Sequence, residues 1–345
     1  MFRICLSIVA LFVCLAVPSR GSAADWRPDD ATKAYVWQAP LAKFDQEAYA
    51  SGVESLVSAY EQQIGRTLAP GETGRVGLKI YTMSGPGLMT PKPLILAVRD
   101  ALVKRGFEPG NVFIIDQMRR NLQECGLIGW TDGDDASWEG MPVYALDTGA
   151  HYDEAWYYEN NLPSRNRVAA AFANPDVGMF STREERRSYL PMPLLECDLW
   201  INLPMATDSR SLGVSGALAN ASIWAVSNFK RFLDSPANAP VAAVEIAAIP
   251  ELRNRWAFSI LTLQGYQFTG QFRYDAIHTR SERRMWLSAN PVALDFLIWR
   301  KINYERRIAD FPAKDEPPPL FNYGASKSIN LGPYQLDDLE LVEVR

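Results

Sequence analysis

The sequence predicts an α/β fold in which a largely parallel sheet is flanked by helices. A β run at 76–83 precedes a helical segment at 91–106 and a second β run at 111–116. This spacing is typical of a βαβ unit with parallel strands and a right-handed crossover. The same alternation returns after residue 197. We therefore expect one α/β domain over residues 44–345.

Local signals predict the other elements in order. Apolar residues at three- and four-residue steps indicate a helix from Phe44 to Gly65, which the glycine ends. The helix of the βαβ unit has Thr90 as its expected N-cap, Pro91 as its first residue and Gly106 past its end. Later elements are predicted as a strand at 197–204, mostly helix at 216–233, a short helix at 241–253, strands at 256–263 and 284–289, a helix opened by Asn290 and Pro291, and an edge strand at 339–345.

The first 24 residues have the pattern of a secretory signal peptide. Arg3 precedes an apolar run from Ile4 to Val17, and small residues lead up to Ala24. The run is too short to span a bilayer comfortably, and no other segment has the length and apolarity of a membrane helix. We expect a periplasmic or secreted protein, with residues 25–43 as a loosely attached N-terminal arm.

Charge and cysteine content limit the partners. Loss of Arg3 and Arg20 with the signal leaves 33 basic against 40 acidic residues, a formal net charge of −7. An acidic chain is a poor partner for nucleic acid. Cys125 and Cys197 remain, too few for a four-thiolate iron–sulfur cluster. The sequence leaves open whether these two cysteines form a disulfide or are buried thiols.

Residues 117–196 are predicted as an aromatic-rich insertion with short elements. Its acidic residues lack the spacing of an EF-hand loop, so a solvated loop is favoured over a calcium site. Its aromatic residues are expected to pack as a small core rather than to form a platform for a sugar. The two histidines, His151 and His278, have no metal-ligand spacing, and we predict no metal site.

Polar residues stand where predicted strands end, and three of them are the candidate catalytic groups. Lys79 lies in an apolar run, where a buried charge is costly unless paired, so it suits an anion or a carboxylate. Asp116 ends the next strand, and Asp208 follows the strand at 197–204. Ligands of open α/β sheets bind at strand carboxyl ends, so we expect the three side chains to converge. The alternatives are a solvent-facing lysine and aspartates that cap helices or turns.

Two glycine-containing loops are candidates for ligand binding. Gly85 and Gly87 precede a helix start and could offer backbone N–H groups to an anion. Gly213, Ser215 and Gly216 form a similar loop. Neither loop has the spacing of a dinucleotide fingerprint, a P-loop or a nucleophile elbow. The alternative is a pair of tight turns that need glycine.

Together, four segments resemble the domain of unknown function 362 family of bacterial and archaeal proteins. They begin "VGLKIYTM", "ECDLWINLP", "LSANPVALD" and "SINLGPYQL", and they follow one another over roughly residues 76–345. The resemblance implies an α/β fold and little biochemistry, since the family's reaction is largely unassigned. Some relatives carry ferredoxin-type cysteine clusters, which this chain lacks.

The chain departs from this family's pattern in the loop after Pro204. Thr207, Ser209 and Ala219 stand where the family has Lys, His and Lys. The family positions that this chain keeps are Lys79, Asp116, Asp208, Gly213, Gly216 and Asn220. The resemblance therefore implies a site whose backbone remains and whose strongest charges are gone.

Two hypotheses for the function follow. In the first, an exported enzyme acts on a small anionic or carbonyl-bearing substrate. Lys79 is then the electrostatic partner, Asp116 and Asp208 are acid–base or ligand groups, and Ser215 and Asn220 form hydrogen bonds. In the second, a non-catalytic ligand-binding or envelope accessory protein keeps the fold, and the three replacements favour this view. The sequence names no cofactor, and it leaves the oligomeric state unknown.

Overall fold

The structure is a computed structural model that describes Trp26 and residues 32–160, 173, 184–233, 235–236 and 238–344. The predicted signal peptide at residues 1–24 lies outside these residues. The strands are β1 Ala34–Pro40, β2 Val76–Lys79, β3 Val112–Asp116, β4 Ser137–Trp138, β5 Met141–Ala145, β6 Tyr152–Glu159, β7 Arg187–Pro191, β8 Leu199–Asn202, β9 Ala206–Ser209, β10 Gly213–Ser215, β11 Trp256–Thr262, β12 Tyr266–Gln267, β13 Thr279–Arg280, β14 Arg284–Ser288 and β15 Leu339–Glu343. The α-helices are α1 Gln46–Ile64, α2 Lys92–Lys104, α3 Arg119–Glu124, α4 Met192–Glu196, α5 Ala217–Ala221, α6 Ala239–Ala247, α7 Pro250–Arg253, α8 Pro291–Ile308 and α9 Pro319–Gly324.

A nine-stranded sheet in the order β15-β1-β14-β11-β8-β2-β3-β5-β4 organises the chain. Its five central strands, from β11 to β5, are parallel, while β14 and β4 run antiparallel to their neighbours. Lys79 on β2 is in register with Ile115 on β3 and with Asn202 on β8, so these strands end together. The predicted α/β fold with a largely parallel sheet is confirmed.

Apolar layers cover both faces of this sheet. Along β3, Val112 and Ile114 pack into the layer that holds α1 and α2, whereas Phe113 and Ile115 pack into the layer of α5, α6 and α8. Side chains alternate between faces along a strand, and a strand buried on both faces therefore reads as a continuous apolar run. This explains why the β runs of the sequence lack polar alternation.

Smaller sheets lie in the connections that leave the strand ends. The loops after β8 and β11 supply a four-stranded sheet in the order β10-β9-β12-β13. Within residues 117–196, β6 and β7 pair as an antiparallel two-stranded sheet, and β5 joins the main sheet parallel to β3. The predicted insertion thus contributes two strands, β5 and β4, to the main sheet.

The expectation of a loosely attached arm at residues 25–43 is wrong for its described part. Residues Ala34–Pro40 form β1, which lies between β14 and β15 in the main sheet. Val36 and Trp37 are buried there. The partners of β1 come from more than 240 residues further along the chain, so a local pattern could not reveal them. The predicted edge strand at the other end of the chain is confirmed as β15.

Two helix predictions also need correction, and two caps are confirmed. The segment 216–233 holds only α5 and a short 3-10 turn: α5 ends at its C-cap Ser222, whose φ of −123° and ψ of −83° are not helical, and Asn228 is left-handed at φ 52° before the 3-10 turn. Thr90 does not cap α2: its hydroxyl donates to the carbonyl of Leu203 at 2.6 Å and so ties two strand-end loops together. Gly65 ends α1 in the left-handed region, and Asn290 caps α8 by accepting from Ala293 N.

Among the described residues, no helix combines the length and apolarity that a membrane crossing needs.

Candidate functional site

Lys79 and Asp116 form an ion pair that has no solvent exposure, at the carboxyl ends of β2 and β3. Lys79 Nζ donates to Asp116 Oδ1 at 2.6 Å, to the Ile80 carbonyl at 2.8 Å and to Asn220 Oδ1 at 3.0 Å. An ammonium group has three protons, so an internal acceptor uses each of them. Burial lowers the pKa of Lys79, and the negative charge of Asp116 opposes that shift.

The second carboxylate oxygen of Asp116 is occupied as well. Its Oδ2 accepts from Thr82 N at 2.8 Å and from Thr82 Oγ1 at 2.5 Å. The loop after β2 is therefore anchored to the end of β3. With both oxygens bonded and no exposed surface, Asp116 lacks a free face toward any ligand.

Asn220 and Asn202 extend this network across the sheet. Asn220 Nδ2 donates to Asn202 Oδ1 at 2.8 Å, and Asn202 Nδ2 donates to Ser259 Oγ at 3.1 Å and to the carbonyl of Ala217 at 2.9 Å. The network thus links β2, β3, β8, β11 and α5. Fully satisfied buried networks make a core rigid and specify one arrangement. The geometry of the Lys79 cluster matches that structural role.

Asp295 holds the amino end of α5 and was not among the sequence candidates. Its Oδ1 accepts from Ala217 N at 2.5 Å, and its Oδ2 accepts from Leu218 N at 3.0 Å. A Cβ at Gly216 would lie 2.4 Å from Asp295 Oδ1, so the glycine permits this close approach. Burial raises the pKa of Asp295 to about 7. The sequence signal that could have indicated it is a single acidic residue within the apolar first half of α8.

Asp208 lies apart from the Lys79 cluster, so the expected convergence of three side chains is wrong for this residue. Its Oδ2 pairs with Arg306 Nη2 at 3.0 Å, and its Oδ1 accepts from Gln271 N at 2.7 Å. These bonds join the four-stranded sheet to α8. Sequence reasoning missed Arg306 because its partner is 98 residues away.

The two glycine loops make their own internal contacts. Gly85 has φ +71° and donates its N–H to the Thr82 carbonyl at 2.8 Å, and a Cβ at Gly87 would overlap the ring of Tyr274. Gly213 has φ +86°, where a Cβ would meet Pro318. These positions need glycine for backbone or packing reasons.

Ser215 faces a space too small for a substrate. Its Oγ accepts from Trp224 Nε1 at 3.1 Å. The enclosed space that Ser215 and Asp208 line measures about 20 Å³, roughly enough for one water molecule.

An open cleft of about 920 Å³ lies at the carboxyl ends of β3 and β5. Gln117, which follows Asp116 directly, lines it together with Asp147 and Tyr152. Gln117 is 2% exposed, and its Oε1 has no hydrogen-bond partner among the described residues. No local sequence pattern indicates this cleft, because its walls come from separate parts of the 117–230 region.

The cysteines and histidines contribute no redox or metal centre in the part of the chain that the structure describes. Cys125 and Cys197 are free and buried in the layers on opposite faces of the sheet, so the disulfide left open by the sequence does not form. Burial raises the pKa of each thiol to about 12. His151 packs against Tyr144, and His278 bonds Asp275 at 2.6 Å. No group of three or more metal-ligating side chains occurs within the described ranges.

Comparison of the chain with protein-family models and with curated proteins gives no match. Among solved structures, a structural-genomics crystal structure of a Thermotoga maritima protein is 12% identical with a TM-score of 0.37, covering 78% of this chain and 60% of that protein. The lactate racemase apoprotein from Thermoanaerobacterium thermosaccharolyticum is 10% identical with a TM-score of 0.31, covering 72% of this chain and 53% of that protein. The chain thus spans less than two thirds of either protein, and likeness at this level carries no argument about activity.

Proposed function

We propose that this chain is an exported, non-catalytic small-molecule-binding protein in which the Lys79 cluster is structural. One observation carries the proposal. Lys79 is fully buried, and Asp116, Asn220 and a backbone carbonyl accept its three protons. A catalytic lysine has to come within hydrogen-bond reach of its substrate. The residues at positions 207, 209 and 219, where the resembled family has charged side chains, support the same conclusion.

The ligand site in this proposal is the open cleft beside Gln117. It lies at the carboxyl ends of parallel strands, where open α/β sheets bind their ligands. Its volume of about 920 Å³ falls within the usual range of small-molecule pockets. Lys79 and Asp208 do not line it, so binding there needs neither of these two sequence candidates.

The alternative is an enzyme that acts on a small anionic or carbonyl-bearing substrate. The observation that supports this alternative is the lowered pKa of Lys79, because lysines with lowered pKa values serve as nucleophiles and bases. This alternative requires Lys79 to leave Asp116 and reach the substrate. Such a movement would strand a buried carboxylate, which is costly.

Reductive methylation of the folded protein, read by peptide mass spectrometry, distinguishes the two. Lys230 is exposed at the cleft and serves as the internal reference, whereas Lys79 is buried. We expect rapid methylation of Lys230 and methylation of Lys79 only after unfolding in urea. Methylation of Lys79 in the folded protein at a rate close to that of Lys230 would favour the enzyme.

Export is part of the proposal and rests on the signal-peptide pattern of residues 1–24. Cell fractionation with a mass measurement of the purified chain tests it. We expect a periplasmic or secreted protein that begins at Ala24 or Asp25. A cytoplasmic protein that still carries Arg3 would contradict export and leave the binding proposal standing.

A further inference from the structure

We infer that the cleft beside Gln117 binds an organic cation, a compound that carries an alkylammonium or methylammonium group. The inference rests on the proposed binding function and adds the charge class of the ligand. It replaces the small anionic ligand that the sequence suggested. Three features of the walls carry it: a surplus of carboxylates, a set of aromatic rings, and a buried oxygen that lacks a donor.

The charged side chains of the cleft are mostly acidic. Among the described residues that line it, they are Asp147, Asp153, Glu154, Glu185, Arg187 and Lys230. Glu185 and Arg187 have partners of their own, and the other described lining charges are three carboxylates and one lysine. The guanidinium of Arg187 also lies 3.9 Å from the ring centre of Tyr157 and pairs with Glu159 at 3.7 Å, outside the cleft lining. A concave surface with surplus negative charge concentrates cations and repels anions.

Aromatic residues supply a second attraction for a cation. Tyr152, Tyr189 and Phe229 line the same cleft as the carboxylates. The face of an aromatic ring attracts an ammonium group, and aromatic cages are a common means of binding quaternary ammonium ligands. A neutral ligand would use the rings alone, whereas an organic cation uses both the rings and the carboxylates.

Gln117 supplies the third feature. Its side chain is almost completely buried, and its Oε1 has no hydrogen-bond partner within the described residues. A buried carbonyl oxygen without a donor is unfavourable and needs an explanation. A ligand that brings an N–H or O–H group into the cleft would satisfy this oxygen.

Isothermal titration at low ionic strength with three probes of nearly the same shape tests the inference. The probes are choline, the uncharged 3,3-dimethylbutan-1-ol and the anion 3,3-dimethylbutanoate. Choline should bind about tenfold more tightly than the alcohol, and the anion should not bind detectably. Added salt should weaken choline binding, because salt screens exposed charges.

A matched pair of variants locates the effect in the cleft. Asp153→Asn combined with Glu154→Gln removes two exposed carboxylates from the cleft and should weaken choline binding severalfold. Glu72→Gln combined with Glu108→Gln removes two exposed carboxylates that precede β2 and β3, at the opposite edge of the sheet. This control should leave the binding of choline unchanged.

The outcomes separate the two proposals. If the alcohol or the anion binds as tightly as choline, and the cleft variant changes that binding, the cleft is a ligand site and the cation inference is wrong. If the control variant weakens choline binding as much as the cleft variant does, the attraction is a general surface effect and the inference is overturned. If no probe binds, both the cation inference and the cleft as the ligand site are overturned.

Discussion

Lys79 Nζ lies 2.6 Å from Asp116 Oδ1, and neither side chain has any exposed surface. Breaking a buried pair by removing one partner costs far more than replacing both partners, because an uncompensated charge remains. Since Asp116 also holds Thr82 and Lys79 also holds Asn220, the pair ties the loop after β2 and helix α5 to the sheet. The residues that looked most reactive in the sequence therefore hold the strand ends in place.

Removal of Asp295 should alter how stability depends on pH. An unfolded aspartate has a pKa near 3.9, and burial raises that of Asp295 to about 7. Between these pH values the folded state binds more protons than the unfolded state, so the group's contribution to stability falls as pH rises. The loss across this window is up to roughly 4 kcal/mol.

Urea unfolding of the wild type and of Asp295→Asn at several pH values between 4 and 7 measures this contribution. The difference in unfolding free energy between the two proteins should shift in favour of the asparagine variant as pH rises. The uncharged amide keeps one acceptor for the N–H of Ala217. A pH-independent difference would show that Asp295 does not titrate in this window.

Gly216→Ala should destabilise the fold. The added Cβ would lie 2.4 Å from Asp295 Oδ1, so the carboxylate would have to move away from the amino end of α5. We expect a loss of about 1–3 kcal/mol in unfolding free energy, typical of overpacking. Gly110→Ala is the matched control, since a Cβ there meets nothing within 4 Å. Equal stabilities of the two variants would refute the close packing of Gly216.

Cys125 and Cys197 should be unreactive in the folded protein and free after unfolding. Burial raises the pKa of Cys125 and Cys197 to about 12, which suppresses the reactive thiolate. We expect almost no reaction of Cys125 and Cys197 with Ellman's reagent under native conditions, and reaction of both in denaturant without reductant. No released thiol in denaturant would mean that the two cysteines are paired.

Local patterns predicted the elements whose signals are local. The βαβ unit, the left-handed end of α1 at Gly65 and the Asn290 cap of α8 follow from periodicity and capping chemistry within a few residues. Strand β1 was not predicted. Its polar and apolar residues give no strand pattern, and it becomes a buried strand only by pairing with β14 and β15, far along the chain.

The candidate site shows the same difference between contacts that local patterns predict and contacts that depend on distant parts of the chain. The approach of Lys79 to Asp116 follows from the parallel register of adjacent strands, which the βαβ pattern already implied. The pairing of Asp208 with Arg306 and the contact of Asp295 with α5 depend on where α8 packs, which no local signal encodes. The cleft beside Gln117 likewise exists only once β5, β6 and β7 are in place.

The unfolding free energy of Lys79→Met decides whether Lys79 is structural. If Lys79 is structural, this variant should lose about 3–5 kcal/mol, because Asp116 is left buried and unpaired. Adding Asp116→Asn to Lys79→Met should recover part of that loss, whereas Asn220→Ala serves as a comparison that removes a single neutral partner. A Lys79→Met protein as stable as the wild type would contradict the structural role of Lys79, and loss of a turnover that the wild type shows would make Lys79 catalytic.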